Sequence, residues 1–239
     1  MRRLTQIPLV LKAELLVVGA VVLFMAFKSF RHVDDETRIV LRGELTLERV
    51  VEVEELLRQG RGQFNTLQLV DSPGAGAAAG IIVDRLEALI NRYRLNTEVR
   101  GHCASACAAV FLLGNHRRML AATEESPTFL MIHAVRNFVS REVNYGKTEA
   151  INKKIAAKSL HQFPLKLLNR LFDDKKGTGD GEIYIFREPQ SHMQPHTQAH
   201  DQTTAQVFVC DSKLNLQLNQ CEAIPRMTPQ SLGIILVNE

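Results

Sequence analysis

The chain carries almost no excess of charge of one sign. Its 29 lysines and arginines face 26 acidic residues, a net charge of +3, with the basic residues scattered among the acids. A nucleic-acid binder shows a basic stripe or patch, so nucleic acid is not an expected partner. The two-residue cysteine knuckle of zinc sites is missing. Cys103 and Cys107 are separated by three residues, and with His102 and His116 they make a poor zinc set. The G-x-S-x-G elbow of the α/β-hydrolases is absent as well, because Cys103 and Cys107 stand where glycines are needed around Ser105. The N-terminal apolar run, Leu15 to Phe27, has 13 residues, short of the about 20 that a spanning helix needs.

What is present is the composition of a folded protein, 45% apolar and 23% charged over 239 residues, which is enough for one good-sized core. The first thirty residues differ from the rest: Arg2 and Arg3 precede the apolar run, and Lys28 follows it. Flanking residues back to Ile7 extend the run, with Lys12 near the interface where its long side chain snorkels. An uncleaved signal anchor over residues 1–30 is the preferred reading, since no A-x-A-like site follows; a cleaved signal peptide and a buried core helix are the alternatives. Either of the first two puts the bulk of the chain outside the cytoplasm. The four cysteines suit an oxidising compartment and allow three pairings, while small buried hydrophobes are the competing reading. Cys210 and Cys221 are placed to close a short hairpin; Cys103 and Cys107, four apart, share a face if the segment is helical.

Strand and helix patterns alternate from residue 38 to 186. Arg38–Arg42 reads as a strand; then Thr46 caps a helix whose face is Leu47, Val50, Val53 or Glu54, and Leu57, stopped by Gly60. Leu67–Val70 is a strand running into the Asp71-Ser-Pro-Gly74 turn. From about Ala77 a helix presents Ile82, Leu86, Leu89 and Tyr93. Thr97–Arg100 is a strand, Ala106–Leu113 a helix apolar on all sides, and Phe129–Ile132 a strand followed directly by His133. Residues 148–172 are helical but broken near Pro164, and Ile183–Phe186 is a strand. Residues 187–202 read as a linker, and the tail from Ala205 as one or two strands. Such alternation predicts an α/β layer fold.

Ser105 stands where a strand hands over to the buried helix. There a hydroxyl meets the positive helix end and its free N–H groups, with small neighbours Ala104 and Ala106 leaving room for a carbonyl. The plain alternative is a helix N-cap. Gly74, in the turn after a strand, offers a second N–H donor, and His133 is placed as a base on a rigid element.

The runs LQLVDSPGAG, GHCASACAAVFLLGNHRRM and MIHAV together resemble the Clp protease proteolytic subunit and its extracytoplasmic relatives in the Clp/crotonase superfamily. The resemblance spans residues 38–186 and implies repeated strand-strand-helix units. It implies a Clp/crotonase-like domain at 36–188, behind an N-terminal transmembrane helix and followed by a linker (189–204) and a small C-terminal β extension (205–239). By that resemblance Ser105 is the nucleophile, His133 the general base, and the N–H groups of Gly74 and Ala106 the oxyanion hole. The third member falls at Glu182, or at Asp180. Self-association is the expected partnership, beside the membrane and a peptide substrate, and no cofactor or nucleotide is called for. The cysteines around Ser105 resemble the membrane-linked, periplasmic branch. Two departures stand out: Ala75 replaces the second glycine of the turn, where a positive φ would be strained, and the segment that docks an ATPase is not recognisable.

The expected function is therefore a membrane-anchored, extracytoplasmic serine hydrolase, an ATP-independent peptidase. The alternatives are a catalytically inactive Clp-like binding or assembly module and, more remotely, crotonase-type acyl-thioester chemistry. His192, His196 and His200 fall at four-residue intervals, but the Gln, Pro and Ser around them favour a linker over a metal face.

Overall fold

Two parallel strands and a helix set the frame. In the computed structural model, which describes residues 37–60, 62–122, 126–137, 140, 142–172, 181–192, 203–211 and 218–237, β1 (Arg38–Arg42) pairs with β2 (Thr66–Ser72). Helix α1 (Leu47–Gln59) crosses between them. Thr46 caps it, its side chain accepting from Arg49 N at 3.4 Å, and Val50, Val53 and Leu57 face the core. The open choice between Val53 and Glu54 thus falls to the apolar residue. The membrane segment expected at residues 1–30 lies outside the described residues, as does Asp180. No helix among the described residues is long and apolar enough to cross a membrane.

Helix α2 (Ala79–Tyr93) carries the chain to β3 (Asn96–Ala104), which is parallel to β2. The helix buries Ile82, Leu86 and Leu89, with Ile90 completing the face where Tyr93 was expected; Tyr93 is only half-buried. It starts later than Ala77 because Ala78 takes a left-handed conformation, φ 54°. β3 is longer than its predicted four residues and runs directly to Ser105.

Its two halves have different neighbours on one side. Thr97–Val99 pair with β4 (Arg117–Leu120), and His102–Ala104 with β5 (Phe129–His133), both in parallel. Gly101 (φ 70°) sits at the changeover, and a β-carbon there would overlap the Asp71 carboxylate. Only glycine allows this close approach.

β4 escapes the sequence pattern because two arginines open it. Arg117 is nevertheless buried, and Arg118 pairs at 2.8 Å with Glu98, itself fully buried and held from the other side by Arg38 at 2.9 Å.

β6 (Gly181–His192) adds antiparallel to β5, followed by β7 (Thr203–Asp211) and β8 (Glu222–Ala223); β9 (Ile235–Val237) lies parallel to β4. Among the described residues these nine strands form one mixed sheet, ordered β1-β2-β3-β5-β6-β7-β8, with β4 branching from β3 and β9 pairing on to β4. The linker expected at 189–204 is shortened at both ends, β6 taking its first four residues and β7 its last two, because Gln190, Ser191 and His192 pair with Ala205, Thr204 and Thr203.

Strand alternation divides the core. Ile183, Ile185, Val207 and Val209 face the main cluster with α1 and α2, while Tyr184, Phe186, Phe208 and Cys210 form a second cluster on the opposite face. Helix α3 (Ala106–Leu112) is buried on nearly every side, with Phe111 fully enclosed. Removing that ring would cost about 3–5 kcal/mol. Helix α4 (Tyr145–Lys158) ends before Pro164, at Ser159, since Leu160 and His161 both take positive φ; α5 (Leu165–Leu168) resumes after the proline.

Candidate active site at the β3–α3 elbow

Ser105 joins β3 to α3 with φ 57° and ψ −121°, a conformation suited to glycine. For a residue with a side chain this costs on the order of 1–3 kcal/mol and persists only where the surroundings over-determine it. The surroundings do so here. Ser105 N donates to Met131 O of β5 at 2.9 Å, and Ser105 O accepts from Ala109 N at 3.1 Å. A disulfide between Cys103 and Cys107 closes the loop around it. The hydroxyl makes no capping hydrogen bond. The helix-cap alternative requires one, so the serine is not placed there as a cap.

The oxyanion candidates lie beside it. As the first residue of α3, Ala106 has no intrahelical acceptor for its N–H. Gly74 has φ 97°, and a β-carbon on it would lie 3.0 Å from Ser105 Cβ and 3.1 Å from Ala106 N. Its own N–H is directed to Ser72 Oγ at 3.3 Å, a long bond, and its carbonyl accepts from Leu45 N at 2.7 Å. In this turn Asp71 (φ 45°) and Gly74 take positive φ, and Ala75 is not among the positive-φ residues. The strain expected at Ala75 is therefore absent, and it is Ala78, three residues on, that takes the left-handed conformation.

His133 ends β5, half-buried, with Nδ1 2.7 Å from the carbonyl oxygen of Ala134. A carbonyl has no proton to give, so in this contact Nδ1 carries the hydrogen and the neutral ring keeps its lone pair on Nε2. Glu182 is paired directly across the strands from His133, which places both side chains on one face of the sheet. Its carboxylate is turned elsewhere: Oε2 accepts from Tyr184 OH at 2.8 Å. Burial first, and then that hydrogen bond, push the Tyr184 phenol well above its ordinary value.

Ser105, Ala106 and His133 share the wall of one cavity of about 470 Å³. Ile132, Val135, Ile151 and Ile155 give it an apolar side, and Arg136 and Lys147 also line it, the latter paired with Asp84 at 2.9 Å. Gly74 packs against the elbow without being part of that lining, and neither is Glu182. No hydrogen bond joins Ser105 to His133 among the described residues. Such bonds are often long in a free enzyme and tighten with substrate.

Two features escaped the sequence reading: the Ala134 carbonyl, which no pattern of side chains reveals, and the bridge over the elbow, signalled only by the symmetric C-x-S-x-C spacing. Cys210 and Cys221 form a second disulfide. With their sulfurs joined, Cys103 and Cys107 are not thiolate ligands, and no cluster of three metal-binding side chains occurs among the described residues.

No protein family and no curated protein matches the sequence. Among solved structures, a ClpP1 mutant from Listeria monocytogenes is similar with a TM-score of 0.43 and 18% identity, over 61% of this chain and 82% of that one. The ClpP protease catalytic domain from Plasmodium falciparum is similar with a TM-score of 0.40 and 17% identity, over 56% of this chain and 71% of that one.

Proposed function

We propose that the chain is a serine hydrolase acting on peptides, with Ser105 as nucleophile and His133 as general base. The observation that carries this reading is the backbone of Ser105: a strained, uncapped serine at a helix start, in the wall of a cavity that also holds an imidazole. Strain of this kind is retained where function needs it.

In the proposed reaction the Ser105 hydroxyl attacks the substrate carbonyl while its proton passes to Nε2 of His133. The negative oxygen that forms is met by the Ala106 N–H and, once released from Ser72, by the Gly74 N–H. His133 then returns the proton to the leaving amine, and water, activated by the same nitrogen, frees the acyl group. The Ala134 carbonyl holds the ring in the required tautomer, and Glu182, opposite His133 in the strand register but bound by Tyr184, adds no more than a negative charge on that face of the sheet. The apolar side of the cavity suits an aliphatic or aromatic side chain.

The proposal includes a membrane anchor at residues 1–30, with residues 36–188 outside the cytoplasm, and self-association. The two disulfides favour an oxidising compartment. One observation favours the non-enzymatic reading instead: the Glu182 carboxylate is bound by Tyr184 rather than by His133. Hydrolysis of a panel of fluorogenic peptides by wild type, beside Ser105→Ala and His133→Ala, separates the two. Turnover lost in both variants supports the enzyme; a folded wild type inert toward the whole panel supports a binding module.

A further inference from the structure

Ser105 is the middle residue of the loop that the Cys103–Cys107 bridge closes. Cys103 is the penultimate residue of β3 and Cys107 the second of α3, and both are fully buried. Only Ala104, Ser105 and Ala106 lie between them, so the bridge ties the end of the strand to the first helical turn across the candidate nucleophile and one oxyanion donor.

The geometry makes this tie consequential. Four extended residues would separate the two Cα atoms by roughly 13 Å, whereas the bridge holds them at 5.3 Å. The chain must reverse direction within three residues, and Ser105, with its positive φ, is where it does so. The two hydrogen bonds of Ser105, to Met131 O and from Ala109 N, each fix one neighbouring peptide group. The bond from Ala109 N is the first intrahelical hydrogen bond of α3 and is a single non-covalent closure of that turn, to which the bridge adds a covalent one. A helix of seven residues has little stability of its own, and Ala106 N–H belongs to the turn that would loosen.

We infer that the Cys103–Cys107 disulfide is a positioning element of the active site, one that holds the Ser105 hydroxyl and the Ala106 N–H in mutual register. The inference rests on the hydrolase reading above. The bridge acts through Ser105 and touches no substrate, so its loss reduces turnover and leaves binding in the cavity largely unchanged. The Cys210–Cys221 bridge joins β7 to the chain just before β8, on the second cluster, and provides a matched control.

The test compares the full chain, in wild-type form, with Cys103→Ala/Cys107→Ala and Cys210→Ala/Cys221→Ala, reading kcat and KM on one fluorogenic peptide, the rate of fluorophosphonate labelling, and thermal melting. A displacement near 1 Å at a reacting group costs about 10²-fold, so the elbow variant is expected to lose kcat and labelling rate on that scale. Its KM should stay within about threefold, while the control keeps wild-type kcat. Should the double alanine fail to fold, Cys107→Ala breaks the same bond with one thiol still filling the core. An elbow variant that folds and retains wild-type kcat overturns the inference but leaves the hydrolase reading intact. Unfolding of every variant lacking the bridge also overturns it, because the bond would then hold the fold rather than the site. A folded wild type that neither turns over nor labels removes the hydrolase reading and this inference together.

Discussion

Gly74 and Ser105 stand so close that a β-carbon on the glycine would lie 3.0 Å from that of the serine, and 2.6 Å from the carbonyl oxygen of Ala104. The site thus has room for a bare backbone alone, at a φ of 97° that disfavours any side chain. Gly74→Ala is expected to displace the elbow or the donor and lower kcat by about 10²–10³-fold, the loss typical of a removed oxyanion donor. Steady-state kinetics on the folded variant check it; wild-type kcat would contradict the placement of Gly74.

His133 takes its orientation from a neighbouring backbone carbonyl, 2.7 Å from Nδ1, while Glu182 is held by Tyr184. The tautomer therefore survives removal of the carboxylate. Glu182→Gln is expected to lower kcat by less than about tenfold, against the 10²–10⁴-fold typical of losing a general base, expected for His133→Ala. Equal losses in the two variants would show that Glu182 swings to the imidazole during the reaction.

Glu98 is a fully buried carboxylate between Arg38 on β1 and Arg118 on β4, and it ties both flanks of β3 together. Removing one member of such a group leaves charge without its partner, typically at a cost of about 3–5 kcal/mol. Both arginines retain some access to solvent, so Glu98→Ala should fall at the lower end of that range. Urea unfolding measures it, and a midpoint equal to wild type would refute the role given to Glu98.

Arg170 forks onto Glu222 of β8 at 2.5 and 3.3 Å, and its hydrogen bonds hold that carboxyl below the usual carboxylate range. A carboxyl lowered on folding contributes stability that is fully present above its ordinary value near 4.5 and is lost as pH falls through the lowered folded value. The Glu222 side chain is 57% exposed, so the contribution stays under about 1 kcal/mol. Amide exchange in β8 should quicken as pH drops below that point, relative to Arg170→Met; identical pH profiles would contradict the coupling.

Much of the frame was legible because burial here follows period. Val50, Val53 and Leu57 on α1, and Ile82, Leu86 and Leu89 on α2, mark their faces at helical spacing, and both helices lie where that spacing puts them. β4 was not legible, since Arg117 and Arg118 look like solvent-facing residues until Glu98 is known to lie beneath one of them. The turn at Gly74 was legible from its chemistry, but the positive φ values at Asp71 and Ala78 rather than at Ala75 were not, because sequence does not say which peptide in a loop flips. Ser105 and His133 stood out from their positions at element ends, and the fold brings them to one cavity. The Ala134 carbonyl and the phenol that takes Glu182 depend on rotamers and register, which no residue pattern carries.

The central claim, that Ser105 is an activated nucleophile, is tested most directly by intact and fragment mass spectrometry after exposure to a fluorophosphonate. The account predicts one adduct per chain on the peptide containing Ser105, formed slowly by His133→Ala and absent in Ser105→Ala. A folded wild type that stays unmodified, or an adduct that persists when Ser105 is replaced, would contradict it.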